Sequence, residues 1–180
     1  NTEKAIFNLK TAGYLNHRGL NRLPLTELSQ LIKPSLYHNQ KARKLKVFSK
    51  FLADNYGGVL ADLQRMDSGI VRRQLLSLWG IGPETADSIL LYALNKPVFV
   101  VDEYTRRIFS RLGHVSEDVG YIELKEFFTK QMKPDVLTFQ HYHGLIVEHA
   151  KEYCRKNKTY CSECPLRHDC GYFKTRAGKA

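Results

Sequence analysis

The sequence has 180 residues, 43% of them apolar, which is enough for one large or two small globular domains with ordinary cores. No run of 18 apolar residues occurs, so a helix that spans a membrane is excluded. The formal net charge is +10, and the basic excess lies in residues 1–50 and 151–180. This distribution favours a polyanionic partner, although a solvated surface explains the charge equally well.

Residues 1–9 predict an amphipathic helix at the start of the chain. The first residue is Asn1, and no apolar signal segment follows it. We interpret this opening as the middle of a helix, and we expect the natural protein to have further helices before it. No targeting segment is therefore available for interpretation.

Helical periodicity dominates the rest of the chain. Apolar residues recur at helical spacing in six segments, several of which end at glycine or proline. The predicted helices are Lys41–Tyr56, Ile70–Leu78, Glu84–Asn95, Asp102–Leu112, Tyr121–Met132 and Asp135–Tyr153. Between the third and fourth helices, Val98–Val101 is too short to distinguish a buried linker from a strand. No alternating strand pattern occurs elsewhere, so the sequence predicts an all-α fold.

Two glycines one residue apart, Gly80 and Gly82, connect the second and third predicted helices. Glycine permits a tight turn that other residues resist. It also leaves bare backbone N–H groups at the start of the next helix, where the helix dipole favours an anion. Gly-x-Gly alone is weak evidence, but between two helices of a basic all-α chain it predicts a phosphate-binding hairpin.

Asp102 follows a proline and a short apolar run, and it precedes a predicted helix. Aspartate is favoured as a helix N-cap, so a purely structural role explains its presence. A capping aspartate is also held rigidly at a helix entrance, and this makes it suitable for catalysis. The two interpretations are compatible.

Four cysteines lie within the last 27 residues, in the spacing Cys-x6-Cys-x2-Cys-x5-Cys, and the rest of the chain has none. These cysteines are Cys154, Cys161, Cys164 and Cys170. An iron–sulfur cluster accepts unequal spacing, whereas a zinc ribbon normally has two Cys-x-x-Cys pairs. A disulfide framework suits shorter secreted chains. The spacing favours iron–sulfur, and zinc and disulfides remain open alternatives.

Several of these motifs together resemble one family. The segment Gly80-Ile-Gly-Pro-Glu-Thr-Ala, Asp102 at 18 residues after Glu84, and the four-cysteine loop resemble the helix-hairpin-helix (HhH-GPD) DNA glycosylases of the endonuclease III superfamily. Residues 37–46 also look like the Asn-Gln-Lys-Ala segment that starts a helix in these enzymes. The resemblance covers nearly the whole chain.

This resemblance implies two helical domains that flank a DNA cleft. The first is a helical barrel over residues 1–97, with the helix-hairpin-helix at 71–95 and its N-terminal helices missing. The second is a cluster domain over 98–175, with a [4Fe-4S] loop at 154–170, and 176–180 form a tail. The implied partner is double-stranded DNA with a damaged base. We expect a monomer in the cytoplasm of a bacterium or archaeon, with no membrane partner.

The resemblance also assigns roles to individual residues. Asp102 would stabilise the positive charge that develops on the sugar as the base leaves, and would help to activate water. The residues implied in DNA contact are Gly80, Ile81, Gly82, Thr85, Lys41, Arg155, Lys156 and Lys158. The loop that inserts a side chain into the base stack is expected before Asn1, so no inserting residue is identified.

Glu84 is the second candidate catalytic residue, and it departs from part of the family. Bifunctional members have a lysine there, whose amine forms a Schiff base with the sugar. A carboxylate cannot do this chemistry, so Glu84 predicts a monofunctional glycosylase, unless another lysine such as Lys96 replaces it. The charge of Glu84 also suits a helix N-terminus.

The segment around the hairpin is most similar to the branch that acts on 3-methyladenine and related alkylated purines. That branch often lacks the cysteines, which this chain retains. Two alternatives stay open: a bifunctional endonuclease III-like glycosylase and AP lyase, and a non-catalytic nucleic-acid-binding module stapled by a metal cluster. We interpret His141, His143 and His149, which share one predicted helix, as packing or phosphate-contacting residues.

Overall fold

The computed structural model describes residues 1–177, with side chains to residue 175. Within this part of the chain the fold is all-α, as predicted, and β pairing is limited to one bridge between Cys154 and Thr159. None of its helices is long and apolar enough to cross a membrane. The helices are α1 (Thr2–Thr11), α2 (His17–Arg22), α3 (Leu25–Leu31), α4 (His38–Tyr56), α5 (Leu60–Arg65), α6 (Ser68–Leu76), α7 (Pro83–Ser88), α8 (Glu103–Leu112), α9 (Tyr121–Thr129), α10 (Val136–Glu152) and α11 (Gly171–Ala177).

The chain divides into two compact units, residues 1–82 and residues from Pro83 onward. The division lies within the expected helix-hairpin-helix, and the functional boundary after residue 97 stays a prediction. Most of the expected tail, 176–180, lies outside the described residues. Apart from Glu84–Asn95, the predicted helices agree with α4, α6, α8, α9 and α10 to within three residues at each end.

The first unit is built around the long helix α4. One core cluster of this unit contains Ala5, Leu9, Leu23, Leu28, Ile32 and Ala42, which come from α1, α3, α4 and the segments that flank α3. Helix α4 ends at the predicted position, because Gly57 takes the left-handed conformation (φ 57°) that glycine adopts without strain.

The second unit is centred on aromatic side chains. The ring of Phe99 stacks on Phe128 at a centroid distance of 4.5 Å and meets Phe139 edge-on at 5.2 Å. Phe99, Val100 and Val101 are all buried and belong to no strand, so Val98–Val101 is a buried linker. This anchored segment leads directly into Asp102 and therefore fixes the start of α8.

The helix predicted over Glu84–Asn95 forms over residues 83–93, but only its first half, α7, is an α-helix. After α7, a π-helix covers Ile89–Ala93, and the Leu94 N–H donates to the Ile89 carbonyl at 3.1 Å, five residues back. The wider turn lets both Leu90 and Leu91 be buried. The sequence does not reveal the change of geometry, because the π segment is only about one turn long and too short to show a period of its own.

A buried ion pair holds α7 within the second unit. The carboxylate of Asp87 is fully buried and accepts hydrogen bonds from Lys125 Nζ and the Tyr121 hydroxyl, both at 2.7 Å. Both partners lie on α9. A buried carboxylate with two close donors fixes the second helix of the hairpin against the core.

Candidate functional site

Asp102 is the N-cap of α8, in the geometry of a capping box. Its Oδ1 accepts hydrogen bonds from the Thr105 N–H at 2.7 Å and the Thr105 hydroxyl at 2.8 Å. The Asp102 N–H in turn donates to Thr105 Oγ1 at 3.3 Å. Capping therefore occupies one carboxylate oxygen and leaves Oδ2 facing another part of the second unit.

That other oxygen faces a histidine. Nε2 of His143, on α10, lies 3.5 Å from Asp102 Oδ2, and the two side chains are only 13% and 11% exposed. On the other side of the imidazole, Nδ1 lies 2.7 Å from the Tyr92 hydroxyl. The sequence analysis assigned His143 to packing or phosphate contact. The structure instead places it between Tyr92 and the candidate catalytic carboxylate.

The electrostatics of Asp102 keep it ionised. Burial acts to raise its pKa, but the His143 side chain and the two hydrogen bonds from Thr105 act in the opposite direction and dominate. The pKa of Asp102 therefore lies below its ordinary value of 3.8. An ionised and largely desolvated carboxylate is well suited to stabilise a developing positive charge.

The hairpin residues differ in their environment. Gly80 is exposed and has a φ of +80°, and a Cβ built on it would lie 3.0 Å from Lys44 Cγ, so this position requires glycine. Gly82 has open space around it. Ile81 is buried and Thr85 is half-buried, so Ile81 reaches a ligand mainly through its backbone.

Glu84 lies in the first turn of α7, directly after Pro83. Its residue surface is exposed, and its carbonyl accepts a hydrogen bond from the Ser88 hydroxyl at 2.7 Å. An acidic side chain at this place is favoured by the helix dipole. The structural role expected for Glu84 thus accords with its position.

Lys41 lies in the first turn of α4, where its ammonium group donates to the Ser35 carbonyl. Two residues between Ser35 and this helix were missed by the sequence analysis. Leu36 and Tyr37 have positive φ angles of 55° and 46°, and their relative exposures are 63% and 79%. Left-handed backbone is strained for such side chains. No signal in the sequence indicates it, since neither residue is Gly, Asn or Asp.

The four cysteines line one small cavity together with apolar side chains such as Ile108, Leu166 and Phe173. All four thiols are free. Burial raises the pKa of Cys164, and the three neighbouring thiols raise it further. Within residues 1–177, no three His, Cys, Asp or Glu side chains form a group that fits a single metal ion.

Arg111, on α8, is a further residue whose role was not predicted from the sequence. Its guanidinium donates to Cys154 Sγ at 3.3 Å and to the carbonyls of Arg155 and Lys156 at 2.8 and 3.2 Å. Arg107, one turn earlier, donates to the Cys154 carbonyl at 2.8 Å. The same helix therefore carries Asp102 at its start and holds the cysteine loop near its end. The i, i+4 spacing of the two arginines was the available signal.

The predicted basic residues of the cysteine loop are on its surface. Arg155, Lys156 and Lys158 are all exposed. Arg155 and Lys158 both lie over the ring of Tyr160, at 5.0 and 5.5 Å from its centroid. This cation–π contact orders two of the three charges without neutralising them.

Comparisons with known proteins show the family to which the chain is similar. Residues 1–134 match the model of the HhH-GPD superfamily of base excision DNA repair proteins. A provisionally named DNA repair glycosylase of Methanocaldococcus jannaschii is 45% identical over 172 residues, which cover 94% of this chain and 77% of that protein. Endonuclease III of Thermotoga maritima is 31% identical over 176 residues, with coverages of 98% and 77%.

Solved structures give the same result. A non-covalent endonuclease III–DNA complex superposes with a TM-score of 0.80 at 25% identity, covering 97% of this chain and 77% of that chain. A 3-methyladenine DNA glycosylase of H. pylori bound to 1,N6-ethenoadenine has a TM-score of 0.72 at 30% identity, with coverages of 83% and 76%.

Proposed function

The chain belongs to the HhH-GPD superfamily of base excision DNA repair proteins, as a DNA repair glycosylase of the endonuclease III group, and we propose that it hydrolyses the N-glycosidic bond of a damaged base with Asp102 as its catalytic carboxylate. The observation that carries this proposal is the state of Asp102. It is ionised although nearly buried, and one of its oxygens is not used by the helix cap.

The proposed chemistry follows from that carboxylate. The damaged nucleotide leaves the base stack before its glycosidic bond becomes accessible. As the C–N bond breaks, the sugar acquires positive charge, which Asp102 stabilises from close range. Asp102 Oδ2 then accepts a proton from the water whose oxygen bonds to the sugar carbon, while the base leaves with the electron pair of the broken bond.

Charge supports double-stranded DNA as the partner. Residues 1–82 carry 13 Lys and Arg against 5 Asp and Glu, so the first unit holds most of the net charge. We assign the hairpin backbone at Gly80–Gly82, Thr85 and Lys41 to phosphates beside the lesion. The exposed Arg155, Lys156 and Lys158 would bind another phosphate segment. We further propose a monomer that acts in the cytoplasm of a bacterium or archaeon.

In addition to the loop expected before Asn1, we propose Leu36 as a second side chain that enters the base stack. It is a large apolar residue held in a strained conformation, and it projects to solvent within five residues of the cation Lys41. DNA-bending proteins commonly insert leucine or other apolar wedges between base steps. Strained backbone of this kind clusters at active sites and ligand clamps, which is consistent with a role for Leu36 and Tyr37 in binding.

We expect Leu36→Ala to slow base release from duplex DNA about tenfold, because no leucine side chain would then fill the space that the extruded nucleotide leaves in the base stack. Release from the same lesion in single-stranded DNA should change much less. The matched control is Leu60→Ala, which removes another leucine of the first unit that is 41% exposed. Equal rates for the two variants on duplex DNA would argue against insertion by Leu36.

The cysteine loop fits a [4Fe-4S] cluster. The residues that would hold it are Cys154, Cys161, Cys164 and Cys170, which surround one apolar cavity. A cubane takes one thiolate at each of four iron atoms, so its ligands need not converge on one point. When bound, the group would supply structural rigidity to the loop, and Arg111 would hold that loop against α8.

Purified protein is expected to contain about four iron atoms and four acid-labile sulfides per chain. Cys161→Ser should lower both values and the thermal stability. Ser162→Ala, a neighbouring exposed change, should leave them unaltered. One zinc ion per chain without acid-labile sulfide would contradict the cluster and indicate a zinc site.

We propose an alkylated purine as the substrate class. Support comes from the sequence around the hairpin and from the likeness to the 3-methyladenine glycosylase with bound ethenoadenine. The test is a panel of duplexes with alkylated, oxidised, deaminated or mismatched bases, analysed before and after alkali. Release of an alkylated purine, with strand breaks only after alkali, is the expected outcome. Binding without release from any duplex would favour the non-catalytic alternative.

A further inference from the structure

We propose that His143, held by Tyr92, is the positioning residue that orients the reactive oxygen of Asp102. This inference rests on the proposed catalytic role of Asp102 and extends it to the residues behind that carboxylate. His143 and Tyr92 are not expected to touch the DNA in this role. They act through Asp102.

A hydrogen bond donated by the Tyr92 hydroxyl would select one tautomer of His143. If the Tyr92 hydroxyl donates to Nδ1 at 2.7 Å, a neutral imidazole carries its proton on Nε2. That N–H then faces Asp102 Oδ2 at 3.5 Å. The opposite tautomer would turn a nitrogen lone pair toward a carboxylate inside a nearly buried site, which is repulsive.

The contact between His143 Nε2 and Asp102 Oδ2 is too long for a normal hydrogen bond, so it can shorten when substrate binds. A distance of 3.5 Å exceeds the normal length of an N–H···O hydrogen bond. Within residues 1–177, the buried Nε2 has no hydrogen-bond partner of normal geometry. A buried donor without a partner is costly, so a small shift of the carboxylate toward Nε2 is favoured. Hydrogen bonds in catalytic sites often tighten only when substrate is bound.

The two oxygens of Asp102 therefore have separate tasks. Oδ1 is committed to the cap of α8 through Thr105, and Oδ2 is left for the reaction. His143 limits the rotation of the Asp102 carboxylate. It also lowers the pKa of Asp102, whereas burial raises that pKa and favours the neutral carboxyl group. Tyr92, from the π-helix, is a further titratable group beside Asp102. The neighbouring Glu103 is paired with Arg106 at 2.9 Å.

The experiment compares four variants of the full chain in single-turnover base release across pH 4 to 9: two at His143, Tyr92→Phe, and a control histidine variant. His143→Phe removes the donor, and His143→Gln restores an amide N–H near the position of Nε2. His114→Phe makes the same change at an exposed histidine of the second unit that has no assigned role in the site. Each variant is assayed on the panel duplex that the wild type processes fastest. Each is also titrated with a duplex that carries a tetrahydrofuran abasic-site analogue.

We expect His143→Phe to lower the rate about tenfold at neutral pH and to move the acidic limb of the profile upward. His143→Gln should recover most of the rate, and Tyr92→Phe should show a smaller loss of the same kind. Binding of the abasic analogue should change less than threefold in all of them. His114→Phe should match the wild type.

An unchanged pH profile and rate for His143→Phe would overturn the positioning role. A loss of rate in His143→Phe that His143→Gln does not recover, together with an equal loss of thermal stability, would also overturn the positioning role. That result would mean that His143 contributes only to packing. Asp102→Asn, assayed in parallel, distinguishes a failure of the proposed function from a failure of the positioning role of His143. If that variant keeps full activity, the proposed function fails, whereas a dead Asp102→Asn beside an unaffected His143→Phe removes only the present inference.

Discussion

Asp102→Asn is expected to slow base release by about 10³-fold while binding to the lesion duplex changes little. Asparagine keeps the size and the capping ability of aspartate, so the hydrogen bonds from Thr105 and the start of α8 should survive. It removes the negative charge that stabilises the sugar and the base that accepts a proton from water. The rate is measured in single turnover, with binding on an abasic analogue as the second readout.

The chain offers a matched control for this substitution. Asp135 is also a helix N-cap, on α10, and its Oδ2 accepts the Thr138 N–H at 2.7 Å. Asp135→Asn makes the same chemical change at a cap outside the candidate site and should leave base release unaltered. Undiminished release by Asp102→Asn would eliminate its catalytic assignment.

The pH dependence follows from the sign of the pKa change. Because the pKa of Asp102 lies below 3.8, the carboxylate is ionised throughout the neutral and mildly acidic range. Protonation of this group should therefore not limit the wild-type rate above about pH 5. The ionised form also stabilises the folded chain above the unfolded pKa, and this contribution is lost as the pH falls through the folded value.

The second large effect concerns strand cleavage. Borohydride reduction of the wild-type protein mixed with lesion DNA should trap no covalent adduct, because position 84 holds a carboxylate and not an amine. Glu84→Lys should create a trappable adduct and cleave the strand at the abasic site. The new ammonium would lie in the first turn of α7, where the helix dipole disfavours the cation and so favours the nucleophilic free amine.

Two further variants decide how this result is interpreted. Glu84→Gln removes the charge without adding an amine, so it should trap nothing. An adduct with the wild-type protein would contradict monofunctional chemistry. Its loss in Lys96→Met would then identify Lys96 as the nucleophile.

Residue type and periodicity within short segments predicted the main helices, the N-cap and the glycine turn. Helical periodicity gave the all-α fold and the main helices, and the N-cap role of Asp102 followed from residue type and position. Glycine at position 80 correctly indicated a backbone conformation that other residues resist. The comparisons show the family that the hairpin, the aspartate and the cysteines suggested together.

The features that the sequence did not predict depend on contacts distant in the chain or on backbone strain. His143 lies 41 residues after Asp102, and only the packing of α10 beside α8 brings them together. Arg111 reaches carbonyls more than 40 residues away. Leu36 and Tyr37 occupy a conformation that their residue types disfavour, so propensity gives the wrong expectation.

The π-helix at Ile89–Ala93 has a consequence for the spacing between the hairpin and the aspartate. Each residue of a regular helix rotates the following chain by about 100°. A one-residue deletion in this wide turn would restore regular geometry, but it would also swing the Tyr92 ring off the imidazole and pull the buried linker out of register. The 18-residue interval between Glu84 and Asp102 therefore fixes the orientation of Tyr92 and the register of the buried linker. In related chains, insertions and deletions should be tolerated on the outer loops and excluded from this interval.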